Sequence, residues 1–345
     1  MPTEAVTVTR YGGPEVLELR ERPLPEPGPG EVRVAVEAAA LCYTDMLIRR
    51  NLYPDNREKP PFTIGYDWVG RIEAVGSGVS GWAVGERVAD LSTIGGAARH
   101  LTVSADRLVG VPGHLDAAEA EVMVLTYLTA LQALTREGGA KAGDSVLVLG
   151  ASGAVGLAAL DVARAMGIRA TGVASSKHEA DVTGRGAAHV AYDAAGYEGR
   201  LKEASEAVGG FAVIMDTAAS LSAARLIRMA RRGGALVRLG FAGRVDRTGG
   251  PGRMVSMARV LGSVAATQAA RLAAPGVSSS FYSIYGMRTK HPDWYAEDLR
   301  TLFGWLEAGN VKPEIAARYP FALAVEGHRH LERGGFAGRL VLVPD

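Results

Sequence analysis

A glycine-rich turn at Gly150–Gly156 (GASGAVG) is the part of this sequence best suited to hold a reactive cofactor. It follows an apolar run, Ser145–Leu149 (SVLVL), and precedes a helical pattern. Gly153 would let the backbone approach a pyrophosphate, and Gly156 would let the helix and the strand pack closely. Free N–H groups at the start of a helix favour phosphates. The turn therefore predicts a dinucleotide-binding site that comprises Ala151, which replaces the usual first glycine, together with Ser152, Gly153, Ala154, Val155 and Gly156.

The end of the next predicted strand, Ile168–Ala174, indicates which dinucleotide would bind. NAD enzymes usually carry an acidic residue there, about 20 positions after the turn, which binds the ribose hydroxyls. Here the strand is followed by Ser175, Ser176 and Lys177, and the nearest acidic residues, Glu179 and Asp181, fall in a predicted helix. Hydroxyl groups and a lysine suit a 2′-phosphate, so the sequence predicts NADPH. The alternative is that Lys177 is an ordinary surface residue at the start of a helix.

The segment that must position this turn, residues 123–267, alternates apolar strands with helical patterns. Phe211–Met215 and Ala235–Leu239 are further apolar runs, which are typical of parallel strands buried on both faces. This alternation predicts a doubly wound parallel sheet, the Rossmann arrangement.

Residues 1–122 have a different texture. Val32–Glu37 alternates apolar and polar residues, and other short runs are bounded by glycine, which together predict a compact β-barrel. Residues 268–345 include a predicted helix, Pro292–Ala308, and a final strand, Arg339–Val343, and are too short for a third domain. We therefore expect residues 268–345 to complete the barrel domain.

The composition narrows the class of protein. A chain of 345 residues suggests two domains, and its formal net charge is 38 − 37 = +1, without a long run of one sign. This argues against nucleic acid or an anionic membrane surface as the main partner. The single cysteine excludes a disulfide within the chain and a four-cysteine zinc site. We see neither a signal-peptide core nor an apolar run of 18 residues, so we expect a cytoplasmic protein.

Motifs along nearly the whole chain resemble one family. They are Gly12–Leu17, Pro27–Val32, Ala74–Val79, Tyr127–Ala130, Ser175–Ala180 and Gly338–Leu342. With these motifs, the sequence is similar to the quinone oxidoreductase (zeta-crystallin-like) group of zinc-independent medium-chain dehydrogenases/reductases, nearest the branch of the vesicle amine transport protein homologue. The resemblance implies a GroES-like β-barrel catalytic domain, 1–122 completed by 268–345, and a Rossmann NADPH-binding domain, 123–267.

The resemblance also implies further cofactor contacts. Ser176, Lys177 and Tyr192 match contacts to the adenosine 2′-phosphate, although Tyr192 could instead be a core residue at a strand end. Arg339 stands where many relatives have a lysine near the cofactor, although it could instead lie at the surface. The nicotinamide contacts that the resemblance implies are Thr129, Gly240 and Phe241.

Zinc-dependent relatives carry Cys-His-x-Asp and then Gly-His-Glu. The corresponding segments here are Cys42-Tyr43-Thr44-Asp45 and Gly65-Tyr66-Asp67, so Tyr66 replaces the metal-binding histidine. A phenol that titrates near 10 is a poor zinc ligand, and a catalytic zinc needs three protein ligands. We expect no metal. Cys42 is interpreted as an inert side chain, and a catalytic or redox thiol is the alternative.

Without a metal an alkoxide is hard to stabilise, so alcohol oxidation is disfavoured. An α,β-unsaturated carbonyl spreads the charge of an added hydride as an enolate, so we expect reduction of the activated C=C bond of an enone or quinone. By its position in the resemblance, Tyr43 is the candidate proton donor, Tyr66 and Tyr127 are alternatives, and Thr126 could orient the carbonyl. The family also implies a homodimer. Two other functions remain: an enoyl-thioester reductase or tailoring enzyme of polyketide-like secondary metabolism, and an NADPH-binding structural or regulatory protein.

Overall fold

The computed structural model describes residues 2–53, 56–239, 262, 265–269 and 276–345. The chain divides into two compact units. The first comprises Met1–Leu125, Asp293–Ala308 and Ile315–Asp345, and the second comprises Thr126–Pro292 and Gly309–Glu314. No helix in the described part of the chain is both long and apolar enough to cross a membrane.

The strands are numbered along the chain. They are β1 (Pro2–Val8), β2 (Leu17–Pro23), β3 (Glu31–Leu41), β4 (Phe62–Thr63), β5 (Asp67–Val75), β6 (Arg87–Leu91), β7 (His100–Ser104), β8 (Val109–Gly110), β9 (Ser145–Leu149), β10 (Arg169–Ala174), β11 (Ala188–Ala191), β12 (Phe211–Asp216), β13 (Ala230–Leu239), β14 (Ser278–Tyr282), β15 (Ile315–Pro320) and β16 (Arg339–Val343).

The α-helices follow the same convention. They are α1 (Tyr43–Arg49), α2 (Ala117–Val122), α3 (Leu128–Gln132), α4 (Ala154–Ala165), α5 (Glu179–Thr183), α6 (Tyr197–Ala207), α7 (Ala223–Ile227), α8 (Ile284–Lys290), α9 (Pro292–Glu307) and α10 (Ala324–Arg333). Two π-helical segments, Met123–Tyr127 and Ala133–Glu137, flank α3.

The first unit is built on a seven-stranded sheet. Its order is β15-β16-β3-β5-β6-β8, with β7 also paired to β3, and a smaller sheet has the order β2-β1-β4. The long strand β3 alternates as its sequence predicts, because Val32, Val34 and Val36 are buried while the residues between them are half-buried. At the end of β3 every residue from Ala38 is buried, and this end pairs with the apolar strand β16.

The second unit contains a six-stranded sheet in the order β11-β10-β9-β12-β13-β14, in which every neighbouring pair is parallel. In chain order this is 3-2-1-4-5-6, the arrangement of the dinucleotide-binding fold. The order reverses between β9 and β12, and ligands of such sheets bind outside the carboxyl ends of the strands at that point. The prediction of a doubly wound parallel sheet is confirmed.

The end of this sheet corrects one predicted boundary. We expected residues 268–345 to complete the barrel, but β14 pairs in parallel with β13, and the second unit runs to Pro292. The sequence hides this strand because it is rich in serine (SSSFY). A strand at the edge of a sheet has one strand neighbour and needs fewer apolar residues than a central one.

The first unit contains a buried histidine, His328, whose pKa is far below that of a free histidine. His328 lies on α10, and both of its ring nitrogens are buried without a hydrogen-bond partner among the described residues. The buried side chain of Arg49 on α1 lies near it. Arg49 forms an ion pair with Glu332 on the same helix as His328. Burial, and then the positive charge of Arg49, lower the pKa of His328 to about 3.

This pKa predicts a stability that depends on pH. Between the ordinary histidine pKa near 6.5 and about 3, the unfolded chain takes up a proton that the folded chain does not. The free energy of unfolding should therefore fall by about 1.4 kcal/mol per pH unit on acidification through this range, and His328 should contribute no pH dependence above it. Denaturant titrations of the wild type and of His328→Leu measure this, because the variant should lose that slope.

His114→Leu, which removes an exposed histidine, is the matched control and should keep the slope. Parallel pH profiles for wild type and His328→Leu would show that His328 does not carry the effect.

Candidate active site

The turn between β9 and α4 depends on two glycines that admit no side chain. Gly150 has φ +79°, which favours glycine, and a Cβ there would overlap the hydroxyl of Thr217. A Cβ at Gly156 would overlap the carbonyl oxygen of Gly150 and lie 2.7 Å from the Cα of Ala151. Both residues are therefore required for packing of the strand against the helix.

Gly153 is different from these two glycines. Among the described residues, a Cβ at this position would meet one atom within 4 Å, the carbonyl oxygen of Gly150 at 3.4 Å, which is ordinary van der Waals contact. Gly153 is also the residue before the first turn of α4, and no side chain in the described structure caps that end of the helix. The space and the N–H groups at this helix end fit a pyrophosphate, as the sequence predicts.

Ala151 replaces the usual first glycine, and the neighbouring strand makes room for it. The N–H groups of Gly150 and Ala151 both donate to the carbonyl oxygen of Val173, at 3.1 and 2.9 Å, which holds the turn against β10. Gly172 on β10 lies opposite, and a Cβ there would be 2.9 Å from that of Ala151. The methyl group of Ala151 is tolerated in the turn because the neighbouring Gly172 has no side chain.

The predicted 2′-phosphate contacts follow two neighbouring strands of the second unit. Ser176 and Lys177 are exposed after β10, where Ser175 is buried. Tyr192 follows β11 with 57% of its surface exposed, so the interpretation as a core tyrosine is wrong. Its N–H donates to the carbonyl oxygen of Ala174, at 3.0 Å, which fixes the two strand ends side by side.

Sequence reasoning missed one acidic residue here. The carboxylate of Asp193 accepts hydrogen bonds from the backbone N–H and the hydroxyl of Ser176, at 2.8 and 3.0 Å. The hydrogen bond from the Ser176 N–H lowers the pKa of Asp193, so the carboxylate is ionised at neutral pH. Asp193 is visible in the sequence, but it follows β11, the third strand of this sheet. The usual pattern places the acidic residue after the second strand, here β10.

Tyr43, the candidate proton donor, is half-buried and begins α1. Cys42 precedes it and is buried, and burial, followed by the negative charge of Asp45, raises the pKa of the thiol well above its usual value. A thiolate is therefore disfavoured, which supports the interpretation of Cys42 as inert.

Asp45 is a second residue that the sequence reasoning missed. It is fully buried, and its Oδ2 accepts a hydrogen bond from the backbone N–H of Cys42 at 3.0 Å. Its Oδ1 has no hydrogen-bond partner within the part of the chain that the structure describes. Burial raises the pKa of Asp45 to about 7. The sequence contains one indication, because Asp45 lies three residues after Cys42, which is the spacing of a capping box at the start of a helix.

The other two tyrosines are engaged within their own units. The hydroxyl of the buried Tyr66 lies 2.8 Å from that of the half-buried Tyr53, and the two rings meet edge to face with centroids 5.8 Å apart. The buried hydroxyl of Tyr127 donates to Asp161 at 2.6 Å. Burial and the charge of Asp161 raise the pKa of Tyr127, so this hydroxyl is a poor acid and serves as an internal hydrogen-bond donor.

Thr126 and Thr129 belong to the same stretch of helical residues, and both side chains are buried. Thr126 lies in the π-helical segment and Thr129 in α3. Such π-helical segments occur frequently at functional sites. Gly240 and Phe241, the other predicted nicotinamide contacts, lie outside the described residues.

Arg339 is not a surface residue. Its side chain is 5% exposed, and it donates hydrogen bonds to Asp67 at 3.1 Å and to Glu121 at 2.6 Å, both fully buried. Burial lowers the pKa of an arginine, but the charges of Glu121 and Asp67 outweigh this and raise the pKa of Arg339. Burial raises the pKa of both acids, that of Glu121 most strongly, so the guanidinium is the internal cation of a carboxyl pair in which burial opposes ionisation of both members.

Asp67 follows Tyr66 in the segment that corresponds to Gly-His-Glu, and its carboxylate is held by Arg339. Within the described residues, no three His, Cys, Asp or Glu side chains are arranged to hold a metal ion.

Comparisons with known protein families agree with the fold of the two units. Residues 28–126 match the family "Alcohol dehydrogenase GroES-like domain", and residues 180–342 match the family "Zinc-binding dehydrogenase". Together with the topology, they confirm the predicted combination of a GroES-like domain with a Rossmann sheet.

Individual relatives match along the whole chain. Human quinone oxidoreductase is 30% identical over 348 residues, covering 98% of this chain and 97% of the relative. The rat synaptic vesicle membrane protein VAT-1 homolog is 29% identical, covering 99% of this chain and 84% of the relative. A mycobacterial protein solved in complex with NADPH is 26% identical with a TM-score of 0.81, and the match covers 99% of this chain and 100% of the other.

The buried ion cluster generates a prediction. Arg339→Met removes the guanidinium and leaves Asp67 and Glu121 buried without their cation, so the free energy of unfolding should fall by about 3–5 kcal/mol. Urea titration monitored by tryptophan fluorescence measures this. Arg318→Met, which removes a half-exposed arginine paired with Asp116, should cost less than about 1 kcal/mol.

The combination of Arg339→Met with Asp67→Asn and Glu121→Gln should recover part of the loss, because no buried charge is left unpaired. If the triple variant were less stable than Arg339→Met alone, the loss would come from packing and not from charge.

Proposed function

Because the chain belongs to the medium-chain dehydrogenase/reductase family, in the group of quinone oxidoreductases and VAT-1 homologues, we propose that it is a zinc-independent, NADPH-dependent reductase. Its proposed substrate is an enone, quinone or related α,β-unsaturated carbonyl, whose activated C=C bond is reduced. The observation that carries the proposal is the turn at Gly150–Gly156, where a Cβ on Gly153 would meet a single described atom and where α4 begins without a side-chain cap among the described residues.

NADPH, when bound, supplies a hydride to the substrate. The N–H groups of Ala154, Val155 and Gly156 in the first turn of α4 would bind the pyrophosphate, whereas the N–H of Gly153 donates to the carbonyl oxygen of Gly150 at 3.1 Å. Ser176, Lys177 and Tyr192 would bind the 2′-phosphate, since they offer donors and a positive charge at the ends of β10 and β11. Thr129, together with Gly240 and Phe241, would contact the nicotinamide.

The side chains at the positions of the metal ligands support zinc independence. Tyr66 stands where zinc-dependent relatives carry histidine, and its hydroxyl is bonded to that of Tyr53. The carboxylate of Asp67 is bound to Arg339. Without a Lewis acid, the substrate must spread negative charge itself, and a conjugated carbonyl does so as an enolate.

We propose Tyr43 as the proton donor. Its side chain is half-buried at the start of α1, whereas Tyr66 is fully buried and the hydroxyl of Tyr127 is held by Asp161. A phenol beside the reacting atoms can donate a proton to the enolate and be reprotonated from solvent. Thr126 would orient the carbonyl.

We also propose a homodimer, as in the family that the sequence resembles. The strand β14 forms one end of the six-stranded sheet and pairs only with β13 among the described strands. An edge of this kind can pair with a second chain. A monomeric mass in analytical ultracentrifugation at micromolar concentration would contradict the dimer.

Oxidation of NADPH with a panel of quinones, enones and enoyl thioesters tests the function. Turnover should be measurable with quinones or enones and should stop in Gly153→Ala, whose methyl group would occupy the space proposed for the pyrophosphate. The same variant should unfold within about 1 kcal/mol of the wild type, since its Cβ meets one atom of the described residues, at 3.4 Å.

Turnover only with enoyl thioesters would favour the enoyl-reductase alternative. Tight NADPH binding without turnover on any member of the panel would favour a structural or regulatory protein.

The role of Tyr43 is tested by Tyr43→Phe. Removing the hydroxyl should lower kcat on the active substrate by about 10² and leave the Kd for NADPH unchanged, because the hydroxyl acts on the substrate. Tyr197→Phe, which removes a half-buried hydroxyl from α6, is the control and should keep full turnover. An unchanged kcat for Tyr43→Phe would assign the proton to water or another residue.

A further inference from the structure

The acidic residue Asp193 reaches the end of the second strand of the nucleotide-binding sheet from the third strand. The strands β10 and β11 are parallel neighbours, and Ala174 pairs with Ala191 at their carboxyl ends. Ser176 and Asp193 each lie two residues beyond this pair, so the register places them side by side. The two hydrogen bonds of 2.8 and 3.0 Å follow from that placement.

This position has a known chemistry in dinucleotide-binding sheets. An acidic residue at the end of the second strand accepts hydrogen bonds from the adenosine ribose hydroxyls, and its negative charge disfavours a 2′-phosphate. The sequence has no acid directly after β10, which favoured NADPH. The structure supplies one at the same place from the next strand.

The carboxylate and a 2′-phosphate would need the same donors. The proposed function assigns the 2′-phosphate to Ser176 and Lys177, but both donors of Ser176 already bind Asp193. A phosphate group with up to two negative charges would have to displace an ionised carboxylate or lie beside it. Lys177 offers an attractive charge in the same turn, so the position combines one group that favours NADPH with one that opposes it.

We propose that Asp193 is a specificity-determining residue that weakens the preference for NADPH and allows NADH to bind in the same position. The carboxylate competes with the 2′-phosphate for the donors of Ser176, and it accepts a hydrogen bond from the free 2′-hydroxyl of NADH. This inference deepens the proposed function and rests on it, because it concerns the cofactor of the same site.

The test is a binding comparison that does not depend on turnover. Dissociation constants for NADPH and NADH are measured from nicotinamide fluorescence, and those for 2′-phospho-ADP-ribose and ADP-ribose by calorimetry, with the wild type and Asp193→Asn. The amide removes the charge and keeps an oxygen acceptor for Ser176, so the turn should be preserved. Affinity for the two phosphorylated ligands should rise about fivefold in the variant, while affinity for NADH should not rise.

Asp181→Asn is the matched control. It removes the same charge from the following helix, where Asp181 is bound to His178 and not to Ser176. The ratio of NADPH to NADH affinity should change by less than about twofold in this variant, since its charge does not contact the donors of the 2′-phosphate. Thermal unfolding of both variants checks that they are folded.

Two further outcomes would contradict the proposal. An unchanged affinity ratio in Asp193→Asn, or an equal rise in Asp181→Asn, would overturn the role of Asp193 while leaving the proposed reductase intact. A wild type that binds neither NADPH nor NADH would overturn the proposed function, and this inference with it.

Discussion

The close approach of two backbone segments, at Gly150 and Gly156, fixes where helix α4 begins in the second unit. Helix α4 can begin directly at the end of β9 because Gly156 lacks a Cβ that would overlap the carbonyl oxygen of Gly150. Thr217, which follows β12, closes the other side of Gly150 and donates to the carbonyl oxygen of Leu149 at 2.8 Å. The helix end is therefore fixed where the strand order reverses, which is the place where sheets of this kind bind their ligands.

The first unit depends on a different constraint, a buried cation between carboxylates. Arg339 comes from the last strand, whereas Asp67 begins β5 and Glu121 lies on α2, so one guanidinium links three distant parts of the chain. A buried pair of this kind adds little stability over an apolar contact but is costly to break. It therefore fixes the position of β16 more than it strengthens the fold.

The sequence predicted those features that follow from local pattern. The apolar run at β9 and the alternation in β3 predicted the correct strands. A strand buried on both faces requires a continuous apolar run, and a strand buried on one face requires alternation. The serine-rich strand β14 was missed because an edge strand needs no such run. The site was predicted less completely, because partners such as Tyr127 and Asp161 are 34 residues apart and become neighbours only in the fold.

The contrast between Lys177 and Asp193 shows why cofactor preference is difficult to derive from a motif. A rule based on the second strand counts residues along the chain, but the ribose end of a dinucleotide meets the ends of neighbouring strands. The parallel register of β10 and β11 brings a residue 17 positions after Ser176 into contact with it. In the cofactor position that we propose, the charges near the 2′-position come from two strand ends, Lys177 after β10 and Asp193 after β11. Lys177 alone therefore does not determine the preference, because Asp193 binds both donors of Ser176.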